Sequence, residues 1–246
     1  AGTEYLYGLL IQLLGHEAVY AVENPGYQKI GKIYRNYQVN WTYIDMDDEG
    51  VEVSQLEEKK VDIVHISPSH HYPTGIVMPI SRRYELLGWA SKGERRYIIE
   101  DDYDSELRLG GKPIPTLQSI DISEKVIYMN TFTKTLASTV RISYMILPRP
   151  LLEQFYQKLS FYSCTVSNFE QYTLDLFIKE GYFEKHINRL RNYYQNKKNG
   201  FLSAIWDSGL HKCVEISGEE AGVHFLMKLK TEKAEENVIE LATAQG

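Results

Sequence analysis

The sequence is poor in cysteine and has no long apolar run, and each shortage excludes a class of protein. Only two cysteines, Cys164 and Cys213, occur in 246 residues. They are isolated from each other, which argues against a metal-binding or redox pair and fits a reducing, cytoplasmic setting. No apolar run approaches the ~20 residues needed to cross a bilayer, and no secretory signal is visible. We therefore expect a cytoplasmic protein without a membrane-spanning segment.

An excess of positive charge is also missing. The formal net charge is −6, whereas surfaces that bind nucleic acid are usually basic. We therefore do not expect this chain to bind nucleic acid by itself. The sequence also contains no internal repeat and no low-complexity tract, which leaves an ordinary globular protein.

The first 150 residues alternate between buried strands and helices. Hydrophobic residues make up 43% of the chain, enough for a real core. Helices are predicted at Glu4–Leu14 and Ile80–Ser91. Short apolar runs predict strands at Ala18–Val22, Val61–Ile66, Tyr97–Ile99, Val126–Met129 and Ile142–Leu147. Because uninterrupted apolar strands alternating with helices are typical of a sheet covered on both faces, we predict an α/β fold with a mostly parallel sheet.

The pattern changes after Pro148 and Pro150. Helical periodicity predicts helices at Leu151–Leu159 and Phe169–Lys179, and then a long helix from about Phe183 to Ile205. A strand-like segment, Val223–Leu229, and a helix-like segment, Ala234–Ala244, complete the chain. We therefore expect residues 1–150 to form a large α/β domain and residues 151–246 a smaller α+β domain.

The segments that follow the strands carry residues suited to bind a cofactor, since ligands of parallel α/β sheets bind beyond the carboxyl ends of the strands. The strand YII is followed by EDDYDS, and the strand VIYM by NTFTKTLAS, which contains Lys134. A lysine with a depressed pKa forms a Schiff base with an aldehyde, and a buried carboxylate can keep a pyridine nitrogen protonated. The turn Ala1-Gly2-Thr3 precedes the first helix, where backbone N–H groups and the helix dipole suit a phosphate. These parts together predict a site for a flat, anionic cofactor that bears a carbonyl.

Other interpretations of these residues stay open on spacing alone. Lys134 could be a solvated surface residue, and the acidic cluster at 100–104 could be a solvated loop or a divalent-metal site. The pair His70-His71 suggests zinc, but adjacent side chains of an extended chain cannot both face one centre. We therefore predict no metal site and expect the pair to occupy a turn beside the cofactor ring. Arg141 needs an anionic partner, either a phosphate or an acidic side chain.

Five segments together point to a known family. In order along the chain they are ENPGY, SPSHHYPTG, EDDYDSE, NTFTKTL and RISYMILP. They resemble the pyridoxal-phosphate domain of GabR-like transcriptional regulators, the MocR family of GntR-type proteins. The resemblance covers nearly the whole chain and is densest from residue 61 to residue 148. It implies a fold type I PLP-dependent transferase-like large domain, a smaller α+β domain that is truncated here, and pyridoxal 5′-phosphate as the cofactor.

The resemblance also assigns roles to individual residues. It implies that Lys134 is the Schiff-base lysine and that Asp101 pairs with the pyridine nitrogen. Tyr103 is expected to contact the ring hydroxyl, and Tyr27, by default a packing aromatic, to stack on the ring face. The residues expected around the phosphate are Gly2, Thr3, Thr131, Thr133 and Arg141.

The sequence departs from the family pattern in ways that bear on function. Family members begin with a winged helix-turn-helix DNA-binding domain, which this chain does not contain, and the arginine that grips a substrate carboxylate lies beyond Gly246. Tyr72 precedes Pro73, where aminotransferases often have Asn-Pro-Thr-Gly. We therefore expect a fragment of a longer, homodimeric regulator that binds an amino acid or amine effector by Schiff-base exchange and contacts DNA only through the other domain. Two alternatives are a PLP-dependent aminotransferase with full turnover and an inert structural piece.

Overall fold

The N-terminal part of the chain forms a sheet flanked by helices. The computed structural model describes residues 2–110, 114–218 and 222–245. The elements up to residue 159 are α1 (Thr3–Leu14), β1 (Val19–Asn24), α2 (Gln28–Asn36), β2 (Asn40–Asp47), β3 (Gly50–Val51), α3 (Val53–Glu58), β4 (Ile63–Ile66), α4 (Ile80–Ser91), β5 (Tyr97–Asp102), a 3-10 turn (Ser105–Leu107), α5 (Leu117–Ile120), β6 (Val126–Thr131), β7 (Ser143–Ile146) and α6 (Arg149–Leu159).

The sheet has seven strands in the order β3-β2-β1-β4-β5-β6-β7. The five central strands run parallel, and the two edge strands, β3 and β7, pair antiparallel with their neighbours. This arrangement confirms the predicted α/β class with a mostly parallel sheet. It also brings the carboxyl ends of β4, β5 and β6 to one edge of the sheet, where the predicted site residues lie.

Both faces of the sheet are buried, because side chains of a strand alternate between its two faces. Ile99 and Ile127 pack with α1, α2 and α6, whereas their neighbours Ile98 and Val126 pack with α3, α4 and α5. Helix α6 spans the boundary predicted after residue 150, and its Leu151 belongs to the first of these clusters. The division into domains stays a prediction.

Strands β7 and β2 differ from the sequence expectation, and β3 and a C-terminal strand, Val214–Ser217, were not predicted. The run Ile142–Leu147 was expected to be a buried strand, but β7 covers Ser143–Ile146 and its side chains alternate between half-buried and exposed. The reason is its place at the edge of the sheet, where only β6 pairs with it. Strand β2, Asn40–Asp47, is not predicted because its polar and apolar residues are mixed and only Ile44 is buried.

The C-terminal part is built mainly from helices. It contains α7 (Asn168–Lys179), α8 (Tyr182–Asp207), a 3-10 turn (Leu210–Lys212), β8 (Val214–Ser217), β9 (Leu226–Leu229) and α9 (Glu235–Gln245). The two strands form a separate antiparallel sheet. Gly181 joins α7 to α8 with a φ of 72°, a left-handed conformation that glycine adopts readily. Across the described ranges, no helix is both long enough and apolar enough to cross a membrane.

Candidate cofactor site

Asp101 is a buried carboxylate at the carboxyl end of β5, and one of its oxygens is free. Only 7% of the residue is exposed. Its Oδ2 accepts a hydrogen bond of 2.5 Å from the Tyr7 hydroxyl of α1 and lies 3.5 Å from Nε2 of His65 in β4. Its Oδ1 has no hydrogen-bond partner among the described residues. A buried, unsatisfied carboxylate oxygen is costly, so the site fits a ligand that offers a proton there, as a protonated ring nitrogen would.

The hydroxyl of Tyr7 beside Asp101 remains a hydrogen-bond donor. Burial, followed by the charge of Asp101, raises the pKa of the Tyr7 hydroxyl well above its ordinary value, so Tyr7 stays protonated and donates. The other ring nitrogen of His65, Nδ1, lies 2.9 Å from the hydroxyl of Tyr34. The sequence analysis did not predict Tyr7 or His65 as part of this site, because only the folded sheet brings α1 and β4 beside β5.

Asp102 and Asp101 have different neighbours, as the alternation of side chains along a strand predicts. The Oδ2 of Asp102 accepts hydrogen bonds of 2.8 Å from the hydroxyls of Ser105 and Tyr128. Burial raises the pKa of Asp102. Its Oδ1 is also unpaired in the described part of the chain, but only Asp101 contacts α1, the helix that begins at the predicted phosphate turn.

Lys134 lies in the loop between β6 and β7, and the structure places its side chain among the exposed ones. Threonines hold this loop in place. The Oγ1 of Thr131 lies 2.9 Å from Oγ1 of Thr133 and accepts a hydrogen bond from Oγ of Ser143, also 2.9 Å long. The carbonyl of Thr135 contacts Nε2 of His186 in α8 at 2.8 Å. Hydroxyl groups before Lys134 and the backbone carbonyl after it therefore hold the loop in place, and the exposed lysine can reach a ligand.

The predicted phosphate turn and Arg141 lie side by side. A Cβ atom added to Gly2 would lie 2.4 Å from Nη2 of Arg141, so the guanidinium packs closely against the backbone of the turn. Thr3 is the first residue of α1. The guanidinium donates a 2.6 Å hydrogen bond to Glu4, which also pairs with Lys29. Arg141 is half exposed and lies just before β7. Of the two partners considered for it, the structure shows the acidic side chain.

Tyr27 occupies the N-cap position of α2 and is 52% exposed. Its ring packs edge-on against Tyr72, with the ring centroids 5.9 Å apart. The two tyrosines line a surface cavity together with Tyr43 and Lys29. The structure thus gives Tyr27 a packing contact, and its stacking on a cofactor ring stays a prediction.

Tyr103 and the histidines of SPSHHYPTG form a second polar group beside Asp101. The hydroxyl of Tyr103 is buried without a hydrogen-bond partner among the described residues, and burial raises its pKa. Its ring stacks on His70, with the centroids 6.2 Å apart. The adjacent His71 turns away and contacts Oγ1 of Thr74 at 2.7 Å. The two histidines therefore face different partners, as expected for neighbours in an extended chain.

The side chain of Arg83 forms hydrogen bonds with the loops at this edge of the sheet. It is completely buried. Its Nε donates to the carbonyl of Met78 at 3.1 Å, Nη2 to that of Pro68 at 2.9 Å, and Nη1 to that of Pro115 at 3.1 Å. Nη1 also lies 3.4 Å from Oε1 of Glu100. The guanidinium therefore connects the loop after β4 with the segment that leads into α5.

Glu100, the partner of Arg83, is buried on the face of β5 opposite to Asp101. Its two oxygens accept hydrogen bonds from the backbone N–H groups of Leu117 and Gln118. Burial nevertheless raises the pKa of Glu100 to about 7, because these hydrogen bonds and Arg83 only partly offset the loss of hydration. Glu100 belongs to the acidic cluster of the sequence, but in the structure its carboxylate binds Arg83 and two backbone N–H groups.

Comparisons with known proteins agree with this geometry. The model of the family "Aminotransferase class I and II" matches residues 1–246. The HTH-type transcriptional regulator YdeL of Bacillus subtilis is 40% identical over 246 residues, which are 100% of this chain and 53% of the relative. The rhizopine catabolism regulatory protein MocR of Rhizobium meliloti is 30% identical over 248 residues, 100% of this chain and 50% of the relative. The chain thus spans about half the length of these relatives.

A solved structure shows the same fold. The kynurenine aminotransferase of Pyrococcus horikoshii, solved with PMP, superposes with a TM-score of 0.84 at 28% identity, over 100% of this chain and 63% of that one. This similarity confirms the predicted fold type I architecture, and the regulators confirm the resemblance to the MocR family. The chain belongs to the aminotransferase class I and II family.

Proposed function

We propose that this chain is the effector-sensing domain of a MocR-type transcriptional regulator, with pyridoxal 5′-phosphate as its cofactor. The free, buried oxygen of Asp101 beside the Lys134 loop is the observation that supports cofactor binding. The matches to HTH-type regulators, which cover this whole chain and about half of each relative, support the regulatory role. PMP in the similar aminotransferase is the amine form of the same cofactor.

Each site residue then has one task. Asp101 would accept a hydrogen bond from the protonated pyridine nitrogen, Tyr103 would contact the ring hydroxyl, and Lys134 would supply the amine that holds the cofactor. Tyr27 covers the ring. The phosphate is held by Gly2, Thr3, Thr131, Thr133 and Arg141. When bound, pyridoxal phosphate supplies an aldehyde that condenses with amines and a ring that withdraws electrons.

The Glu4–Arg141 pair has a consequence for this assignment. Arg141 already pairs with a carboxylate, at 2.6 Å, so a phosphate at the start of α1 competes with Glu4 or shares the guanidinium with it. Glu4 keeps Lys29 as a second cation, and the hydrogen bond from Lys29 is the main reason that the pKa of Glu4 is lowered. If Arg141 exchanged Glu4 for the phosphate, Glu4 would still pair with Lys29, and neither charge would be left without a partner.

The cofactor assignment is tested by titration of the intact protein with pyridoxal phosphate, followed by borohydride reduction and peptide mass spectrometry. We expect a visible absorbance band and a reduced adduct on Lys134. Lys134→Arg keeps the charge but should lose the adduct, whereas the matched control Lys158→Arg, at an exposed position of α6, should keep it. The same adduct in Lys134→Arg would show that another residue carries the cofactor.

A regulator needs the effector to favour one arrangement of domains over another by a few kcal/mol, and rapid conversion of the effector would erase the signal. We therefore expect the intact protein to respond to an amino acid or amine by a spectral shift and altered DNA affinity, with little or no keto product. The similarity to the kynurenine aminotransferase favours a second candidate, an aminotransferase. Sustained turnover with a keto-acid acceptor at ~1 per second or faster, without an effect on DNA binding, would establish that candidate.

We also propose that the protein is a cytoplasmic homodimer. Helix α7 has no buried residue, and Phe169, Tyr172 and Leu176 are 81%, 70% and 59% exposed. Large exposed apolar patches mark interaction sites. Both cysteines are free and exposed, which suits a reducing compartment. Sedimentation of the intact protein with cofactor bound should show a dimer, and a monomer at high concentration would reject this part of the proposal.

A further inference from the structure

Two histidines and an aspartate from three distant segments meet beside the candidate cofactor site. His70 follows β4, Asp104 follows β5, and His224 precedes β9. Each of them offers one ligand atom, and the three atoms lie within 4.8 Å of one another. The imidazole rings of His70 and His224 are 4.0 Å apart between centroids, and Nδ1 of His70 lies 2.8 Å from Oδ2 of Asp104.

Each of these side chains has a polar atom without a hydrogen-bond partner within the described ranges. These atoms are Nε2 of His70, Oδ1 of Asp104 and Nε2 of His224. His70 and Asp104 are only 2% and 1% exposed, so bulk water does not satisfy them. A buried polar atom without a partner costs about 1–3 kcal/mol, and three such atoms in one place indicate that the cluster is built around a ligand.

The chemistry of the donors narrows the class of ligand. Two imidazoles and one carboxylate are the ligands of Zn²⁺ and similar transition-metal ions, whereas Ca²⁺ and Mg²⁺ prefer an all-oxygen set. We propose that His70, Asp104 and His224 bind a divalent transition-metal ion, with zinc as the best fit. Three protein ligands leave a fourth position for water or for an external ligand, as in zinc sites that are not purely structural.

The surroundings of the cluster suit such an ion. The backbone at Gly222 lies against it, because an added Cβ atom there would come within 2.0 Å of Nδ1 of His70 and 2.4 Å of Oδ2 of Asp104. On another side, His70 and Asp104 line a cavity of about 490 Å³, which gives room for the external ligand. The ion would therefore be covered by the chain on one side and open to solvent on the other.

The proposal differs from the sequence expectation of no metal site. That expectation was based on the adjacent pair His70-His71, whose side chains indeed diverge. The second histidine is instead His224, about 150 residues away along the chain, and no local spacing in the sequence reveals it. The metal site uses neither Lys134 nor Asp101. The metal proposal can therefore be tested separately from the proposed function.

The test is a zinc titration of the intact protein, stripped of metal by a chelator and free of pyridoxal phosphate, in competition with a chromophoric zinc indicator. We expect one tight site per chain, and Co²⁺ in place of Zn²⁺ should give visible absorbance of a four-coordinate centre. His224→Gln and Asp104→Asn should each weaken zinc binding about 100-fold or more, since even outer-shell changes cost 10–100-fold.

His71→Gln and His16→Gln are the matched controls. His71 is a buried neighbour that turns away from the cluster, and His16 is exposed. Both should bind zinc as the unchanged protein does. Circular dichroism identifies any variant that fails to fold, and either His224→Gln or Asp104→Asn suffices for the conclusion. The absence of a tight 1:1 site in the unchanged protein, or unchanged affinity in a folded His224→Gln or Asp104→Asn variant, would overturn the proposal.

Discussion

The sheet-bearing part of the molecule, residues 2–159, and the part from α7 onward are buried to very different extents. The first part has two clusters of buried apolar side chains, one on each face of the sheet. In the second, α7 and α9 have no buried residue and all four residues of β9 are exposed. The buried apolar side chains that the described C-terminal residues contribute are Ile187, Ile205 and Val214. The first part is stabilised by its own core, whereas the second has apolar surface left for another partner.

The largest expected effect tests this contrast directly. Ile127 in β6 is completely buried, whereas Leu176 in α7 is 59% exposed. Ile127→Ala leaves a cavity and should lower the free energy of unfolding by about 2–5 kcal/mol, while Leu176→Ala should change it by less than about 0.5 kcal/mol. Urea unfolding of both variants at a concentration where the protein is monomeric measures the difference. Similar losses in the two variants would show that the C-terminal part is packed as tightly as the sheet.

Loss of the Asp101 carboxylate is the next largest effect. A charge-assisted hydrogen bond contributes about 1.5–3 kcal/mol, so Asp101→Ala should weaken the binding of pyridoxal phosphate about 10- to 150-fold. Asp102→Ala is the matched control, because Asp102 is equally buried and also has a free oxygen but lies on the other side of the strand. An equal or larger loss of affinity in Asp102→Ala would mean that the wrong carboxylate was chosen.

The smallest expected effect depends on pH. The pKa of Glu100 is raised from its ordinary value to about 7 in the folded chain, so between about pH 4.5 and pH 7 the folded state holds a proton that the unfolded state has lost. The free energy of unfolding should therefore fall as the pH rises through this window, by on the order of 1–3 kcal/mol.

Glu100→Gln should remove this contribution, and Glu153→Gln, at an exposed position of α6, should not. The measurement is urea unfolding of the three proteins at several pH values. A pH dependence in Glu100→Gln equal to that of the unchanged protein would show that Glu100 is ionised throughout the window. The pH dependence would then come from other titrating groups and not from a proton retained by Glu100.

Local patterns in the sequence predicted those parts of the fold that depend on local physics. The helix Ile80–Ser91 has the predicted bounds, but the side chains that it buries are Arg83, Leu86, Trp89 and Ala90, whereas Ile80 and Tyr84 are exposed. The run Val126–Met129 lies within β6, because an uninterrupted apolar segment suits a strand covered on both faces. Strand β2 was missed because only one of its residues is buried, which leaves little hydrophobic pattern to detect.

Part of the candidate site could likewise be predicted from local patterns in the sequence, and part could not. The positions of Asp101 and Lys134 after adjacent strands follow from the rule that parallel strands end at one edge of the sheet. Their partners do not follow from any local rule. Tyr7 approaches Asp101 across 94 residues of sequence, and Glu4 approaches Arg141 across 137. Such pairs arise only when helices pack on the sheet, and so they could not be read from spacing.

The buried guanidinium of Arg83 has a mechanical consequence for any ligand that binds above it. Three backbone carbonyls, from Pro68, Met78 and Pro115, are tied to one rigid, planar group. Neither segment can shift alone without leaving a charged donor unpaired in the interior. A ligand at this edge of the sheet would therefore displace the two segments together or leave both in place. One buried arginine would thus make two separate stretches of chain respond as a single body.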